Sequence, residues 1–197
     1  DQPSANAMAA RKRLLFAMLK MEVHEDLGIE KFPPEKAIYR SILRASGLHV
    51  KTRKGWRFQA PKTKDSKEGS IHKLWQSIED ILEGSELEPF NVTDLYEKLS
   101  ESPYGVKAGL LPVLLLAVCL AYKDEIAIYE AGYYSPFLTQ EVLEKIIRSP
   151  QLFSIQRFKI DQIREQLFTN YAQAITLEDT KLINIVSVAK PLARFMV

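Results

Sequence analysis

The stretch Leu110-Leu111-Pro112-Val113-Leu114-Leu115-Leu116-Ala117-Val118-Cys119-Leu120-Ala121-Tyr122-Lys123-Asp124-Glu125-Ile126-Ala127-Ile128-Tyr129-Glu130-Ala131-Gly132-Tyr133-Tyr134 decides the fold. Its first half is apolar on every side, and Pro112 falls where a first helical turn tolerates a residue without an N–H. A helix with no polar face has to be buried. The run 108–122, bounded by Lys107 and Lys123-Asp124, is shorter than the ~20 residues a bilayer crossing needs. It therefore predicts a core helix holding Leu114, Leu115, Leu116, Val118 and Cys119. The second half alternates like a strand, turns at Glu130-Ala131-Gly132 and returns through Tyr133-Tyr134, which predicts a hairpin.

Working outward, Ile71, Leu74, Trp75, Ile78 and Leu82 recur at helical spacing and Gly84 closes the segment. Pro89-Phe90-Asn91-Val92 reads as a short extended piece. Val92, Leu95, Tyr96 and Leu99 then mark a helix that Asn91 or Thr93 can cap and Pro103-Tyr104-Gly105 ends. Thr139 caps a further helix, with Leu138 and Leu143 placed for a hydrophobic staple. Helix, short strand, helix, turn, helix, hairpin is the order of a winged-helix domain, expected over 71–158.

The first half holds a helix carrying Leu15, Met18, Leu19 and Val23 and closed by Asp26-Leu27-Gly28. A second helix starts at Pro33-Pro34 with Tyr39, Ile42 and Leu43 inward and ends at Gly47. Leu48-His49-Val50 and Trp56-Arg57-Phe58 flank a polar turn at Gly55, a second hairpin. Residues 11–60 thus form a helical unit with a hairpin, 61–70 a linker without large apolar side chains, and 1–10 a disordered or cloning remnant. Ile160, Ile163, Leu167, Tyr171 and then Leu182, Ile185, Val186, Ala189 and Ala193 mark a helical extension over 159–197, with a longer parent chain expected beyond it. The fold class expected is mainly α with small β-hairpins, winged-helix-like, single or tandem, with a helical C-terminal extension.

Composition narrows the function. At 46% hydrophobic and 26% charged over 197 residues, the chain can build a core and is not a disordered or low-complexity polymer. Cys119 is its one cysteine, so no internal disulfide forms, and with no signal peptide a cytoplasmic location is expected. His24, His49 and His72 have no second ligand at metal spacing. A phosphate loop, a paired-histidine motif and a nucleophile elbow are all missing from the sequence. Asp179-Thr180-Lys181 has part of a nuclease spacing but opens a helix, and Asn91-Val92-Thr93 reads as a cap rather than a glycosylation site. No catalytic residue, metal or cofactor is assigned, and the chain is expected not to be an enzyme.

Charge is the informative local feature. Residues 49–67 hold Lys51, Arg53, Lys54, Arg57, Lys62, Lys64 and Lys67 against Asp65 alone, +6 in a chain whose net charge is +2. Such a hairpin can sit on nucleic-acid phosphates, with Trp56 available for stacking. The plainer reading is a solvated hairpin and linker with Trp56 in the core. Against base reading stands the helix 108–122, which contains no Arg, Lys, Asn or Gln, although a recognition helix needs such side chains. Tyr129, Tyr133 and Tyr134 either pack across their hairpin or offer an aromatic partner contact.

The run Pro103-Tyr104-Gly105-Val106-Lys107-Ala108-Gly109-Leu110-Leu111-Pro112, the apolar helix after it, Asp124-Glu125-Ile126-Ala127-Ile128-Tyr129-Glu130, Pro33-Pro34-Glu35-Lys36 and Gly55-Trp56-Arg57-Phe58 together resemble segments of very large, multidomain bacterial ATP-binding proteins of the phage-defence type. The resemblance implies a winged-helix-like, non-catalytic region of a larger machine, and it carries no nucleotide site onto this chain. The function expected is an interaction and scaffolding module that contacts other domains of the parent protein or protein partners, without a membrane. The alternative is sequence-nonspecific binding of double-stranded DNA through Lys51, Arg53, Lys54, Trp56, Arg57, Lys62 and Lys64.

Overall fold

A computed structural model describes residues 4–61, 69–85 and 88–158. Helix α1 (Ala5–Lys20) begins where the Ser4 side chain accepts the Ala7 N–H at 3.2 Å, and it buries Ala10, Leu14, Leu15 and Met18. From Ser4 onward the segment set aside as a remnant is therefore part of this capped helix. Its C-terminus closes on the Met21 N–H bonding Ala17 O, so Val23 lies beyond the helix and is 60% exposed rather than on the inner stripe. Helix α2 (Pro34–Ile38) starts at a proline in its first turn, as expected, and its axis continues through Tyr39–Arg44 in wider, π-type turns. Tyr39 and Leu43 are its buried side chains in that continuation. Gly47, at φ +71°, reverses the chain into strand β1 (His49–Thr52), which pairs antiparallel with β2 (Gly55–Phe58).

Helix α3 (Gly69–Gly84) buries Leu74, Trp75, Ile78 and Leu82 of the predicted stripe and leaves Ile71, near its start, half-buried. Strand β3 (Phe90–Asn91) leads into α4 (Val92–Ser100), where Asn91 Oδ1 accepts the Thr93 N–H at 2.8 Å. Helix α5 (Leu111–Ala121) has every side chain from Leu111 to Leu120 buried.

Two compact units share the chain: one takes residues up to Glu79 with Asp94–Tyr122, the other Asp80–Thr93 with residues from Lys123 on. The sequence reading placed α5 in a module starting at residue 71. It instead packs against α1 and β2, completing the core of the unit that carries the first hairpin. In the same unit Trp75 Nε1–H donates to Tyr122 Oη at 3.3 Å, and that hydroxyl donates to the Glu79 carboxylate.

The second unit is built on a four-stranded antiparallel sheet ordered β3-β6-β4-β5, from β4 (Ile126–Glu130), β5 (Tyr133–Ser135) and β6 (Phe153–Arg157). Ala131 and Gly132 both have positive φ, 50° and 83°, the two-residue turn whose twist suits a hairpin. Helix α6 (Gln140–Arg148) is capped by Thr139, whose side chain accepts the Val142 N–H, and it buries Leu143 and Ile146. Strand β6 was not anticipated. It sits between β3 and β4 in the register Ile128↔Ile155↔Phe90, so the short strand pairs with β6 and not with the hairpin. Ser85 Oγ accepts the buried Arg157 N–H, and Arg157 Nε–H donates to Glu125 at 2.8 Å.

Among the described residues the fold is mixed α/β, about 53% helical with two small antiparallel sheets, rather than mainly α with hairpins alone, and no helix is long and apolar enough to cross a membrane. The expected helical extension over 159–197 and the linker cations Lys62 and Lys64 lie outside the described residues.

Candidate nucleic-acid interface

The β1–β2 hairpin is held by local chemistry at its turn. Thr52 Oγ1 donates to Gly55 O at 2.7 Å and accepts the Lys54 N–H at 3.2 Å, while Trp56 N–H reaches back to Val23 O at 3.3 Å. Gly55 has φ +116°, a conformation that a side chain resists. The result is a fixed tip that presents Arg53 and Lys54 in the turn, Lys51 on one face and Arg57 on the other, since Lys51 is registered with Trp56 and Arg57 with Val50. All four cations are exposed, and among the described residues none has an ion-pair partner; Arg57 only donates to Gln59 at 3.4 Å.

Trp56 stands between the two sequence readings. Its ring stacks on His49, with centroids 5.2 Å apart and planes at 29°, and the Arg44 guanidinium lies 5.3 Å from the ring centroid. His49 is buried beneath it. The Nδ1 of His49 accepts the Tyr39 hydroxyl at 2.7 Å and its Nε2–H donates to Glu22 O at 2.7 Å, which assigns the neutral Nε2 tautomer. Burial holds the imidazole below its usual range.

Beside Trp56 lies a cluster that sequence reasoning passed over. Asp26 accepts from Arg40 at 2.7 Å and Arg44 at 2.6 Å, and Lys36 Nζ sits 3.2 Å away. Burial alone would raise the Asp26 carboxyl, but hydrogen bonds from Arg40, Lys36 and Arg44 outweigh it and hold the group at about 2. Asp26, Leu27 and Gly28 are all in the left-handed region, at φ 49°, 53° and 65°, a turn that costs about 1 kcal/mol or more at Leu27. Burial of Leu27 and the three cations around Asp26 oppose that cost. Farther out, Phe32 is 83% exposed, with Lys36 Nζ 5.6 Å and the Arg40 guanidinium 5.4 Å from its centroid. Lys36, Arg40 and Arg44 recur every four residues, the one signal in the sequence that could have revealed this face. Arg13 and Glu35 form a separate two-pronged pair at 2.9 and 3.0 Å.

The tyrosines of the second hairpin divide. Tyr129 and Tyr134 pair across β4 and β5 with centroids 6.0 Å apart, and Tyr129 also donates to Gln156 at 2.8 Å. Tyr133 points the other way and is 80% exposed.

No group of three His, Cys, Asp or Glu capable of holding a metal occurs among the described residues. Burial pushes the Cys119 thiol up to about 12, which makes it a poor nucleophile and ligand. Asp179-Thr180-Lys181 lies outside the described residues. Comparison of the chain with known protein families, with curated proteins and with solved structures finds no match.

Proposed function

We propose that this chain is a non-catalytic binding module that holds nucleic acid by its phosphates, without reading sequence, through the β1–β2 hairpin. One observation carries the reading: four exposed cations, Lys51, Arg53, Lys54 and Arg57, surround one rigid turn and have no ion-pair partner among the described residues. Cations left unneutralised at a fixed protrusion suit a phosphate backbone, whose bound counterions they displace. The buried α5 favours nonspecific binding, because a helix closed into the core on all sides has no side chain left for base edges. The resemblance to phage-defence proteins suggests a role within a multidomain assembly.

A salt titration of fluorescent duplex binding tests this reading. Phosphate contact through four cations should cost about two orders of magnitude in affinity between 50 and 200 mM salt. Combined Lys51→Glu, Arg53→Glu and Lys54→Glu substitutions should abolish binding and leave the circular dichroism spectrum unchanged, since all three side chains are exposed. Binding by the triple variant equal to wild type would overturn the reading.

Protein interaction is a second reading, favoured by Tyr133 and by Leu152, which is 49% exposed. Both lie toward the β4–β5 turn, where Ala131 N–H donates to Leu152 O at 2.7 Å two residues before Tyr133. Replacing both with Ser should then weaken partner capture and spare nucleic-acid binding.

A further inference from the structure

We propose that Phe32, set beside Lys36 and Arg40, is a stacking shelf for an unpaired nucleobase, so that the nucleic acid bound by the hairpin is single-stranded where it crosses this face. The inference rests on the phosphate-binding reading above and names the form of its ligand.

Phe32 is the most exposed large apolar side chain among the described residues, and it is not an isolated one. Arg40 and Lys36 lie over its ring, Arg40 shares the Asp26 carboxylate with Arg44, and Arg44 lies over Trp56, the cross-strand partner of Lys51. A connected series of planar groups therefore runs from the open phenyl ring to the cationic hairpin.

Three chemical features of that series select the ligand. The first is charge: Lys36, Arg40, Arg44 and the hairpin's Lys51, Arg53, Lys54 and Arg57 outnumber Asp26 and Glu25, so the face complements a polyanion. The second is that Asp26 and Glu25 use few of the five N–H donors on each guanidinium, which leaves Arg40 and Arg44 able to donate to phosphate or base oxygens. The third is the ring itself. In a duplex the faces of the bases are covered by their neighbours, so an exposed phenyl has nothing to stack on, whereas a single strand offers every base face. Stacking of that kind tolerates any sequence, which agrees with a module lacking a reading helix. Trp56 cannot serve instead, because His49 and Arg44 already occupy its ring.

The experiment compares anisotropy of a labelled oligothymidylate with that of a blunt duplex of equal length, at one moderate salt concentration, for wild type, Phe32→Ala and Phe32→Trp. Phe32→Ala should weaken strand binding at least about fivefold, leave duplex binding unchanged, and be rescued by Phe32→Trp. Equal strand binding by wild type and Phe32→Ala overturns the shelf alone, as does an equal loss on both probes. The hairpin reading is then judged separately by the charge-reversal variant. Binding of neither probe by wild type overturns both readings.

Discussion

His49 shows how one buried side chain ties helix, loop and hairpin together, and its titration has a definite sign. Its imidazole is neutral in the fold, accepting from Tyr39 and donating to Glu22 O, and burial holds its pKa below the ordinary 6.5. The stabilising contribution is complete above pH 6.5 and is lost as pH falls toward the lowered folded value, because the unfolded chain takes the proton first. The unfolding midpoint in urea should therefore drop between pH 7.5 and 5, and His49→Gln should flatten that slope; an unchanged slope would show that other groups cause it. Tyr39→Phe should cost about 1–3 kcal/mol by leaving Nδ1 buried without a donor. Asp26 acts in a more acid window. With its folded pKa lowered to about 2 from 3.8, its contribution is complete above pH 3.8 and disappears as pH falls through 2. Asp26→Asn should lose roughly 2 kcal/mol of stability at neutral pH and yet tighten nucleic-acid binding, because Arg40 and Arg44 are released. Paired denaturation and anisotropy measurements check the opposite signs, and weaker binding by a folded Asp26→Asn would contradict the role given to those arginines.

Helix α5 and strand β6 mark the two extremes of what the amino-acid sequence discloses about an element. Leu116→Ala should destabilise by about 2–5 kcal/mol, since it opens a cavity in a helix with no exposed face from Leu111 to Leu120; a loss under 1 kcal/mol in chemical denaturation would mean the site can collapse. That burial was legible because an uninterrupted apolar run has one physical solution. The α3 stripe, the Asn91 and Thr139 caps and both hairpins were legible for similarly local reasons. Strand β6 was not, because Phe153-Ser154-Ile155-Gln156-Arg157 is too short to show a period and its nearest partner, Glu130 opposite Phe153, lies 23 residues away. The association of α5 with α1 and β2 was hidden likewise, since an apolar helix records that it is buried but not against what. At the candidate site, the hairpin cations could be read directly from their run. Phe32, Arg40 and Arg44 could not, because their meaning comes from Asp26, which is brought to them by a left-handed turn, and from Trp56, brought by the hairpin. The linker at 61–70 follows from composition and the option of a tandem pair from the presence of two hairpins, whereas the compact units are discontinuous in sequence, with Asp94–Tyr122 returning to the first.

For the molecule as a whole, the separation of a buried apolar helix from an exposed cationic hairpin sets a limit on discrimination. Specific readers of nucleic acid gain about 1–3 kcal/mol of preference for each well-made pair of hydrogen bonds to a base edge. Such contacts need polar side chains on an element that can enter a groove. Here helix α5 exposes none from Leu111 to Leu120, and the hairpin tip ends in Arg53 and Lys54, which suit phosphates at the surface of the duplex. Phe32 adds stacking, which every base satisfies. Affinity should therefore follow charge and strandedness, not sequence. Measured at one salt concentration, strands of equal length but different base order should bind within about threefold of one another, and so should duplexes rich in A·T or in G·C. The dependence of log affinity on log salt should have the same slope within each set, and it should fall by about two when Arg53→Ala and Lys54→Ala are combined. Selection from a random oligonucleotide pool should then enrich no motif. Recovery of a motif bound more than about thirtyfold above the pool would require a reading surface that neither α5 nor the hairpin supplies.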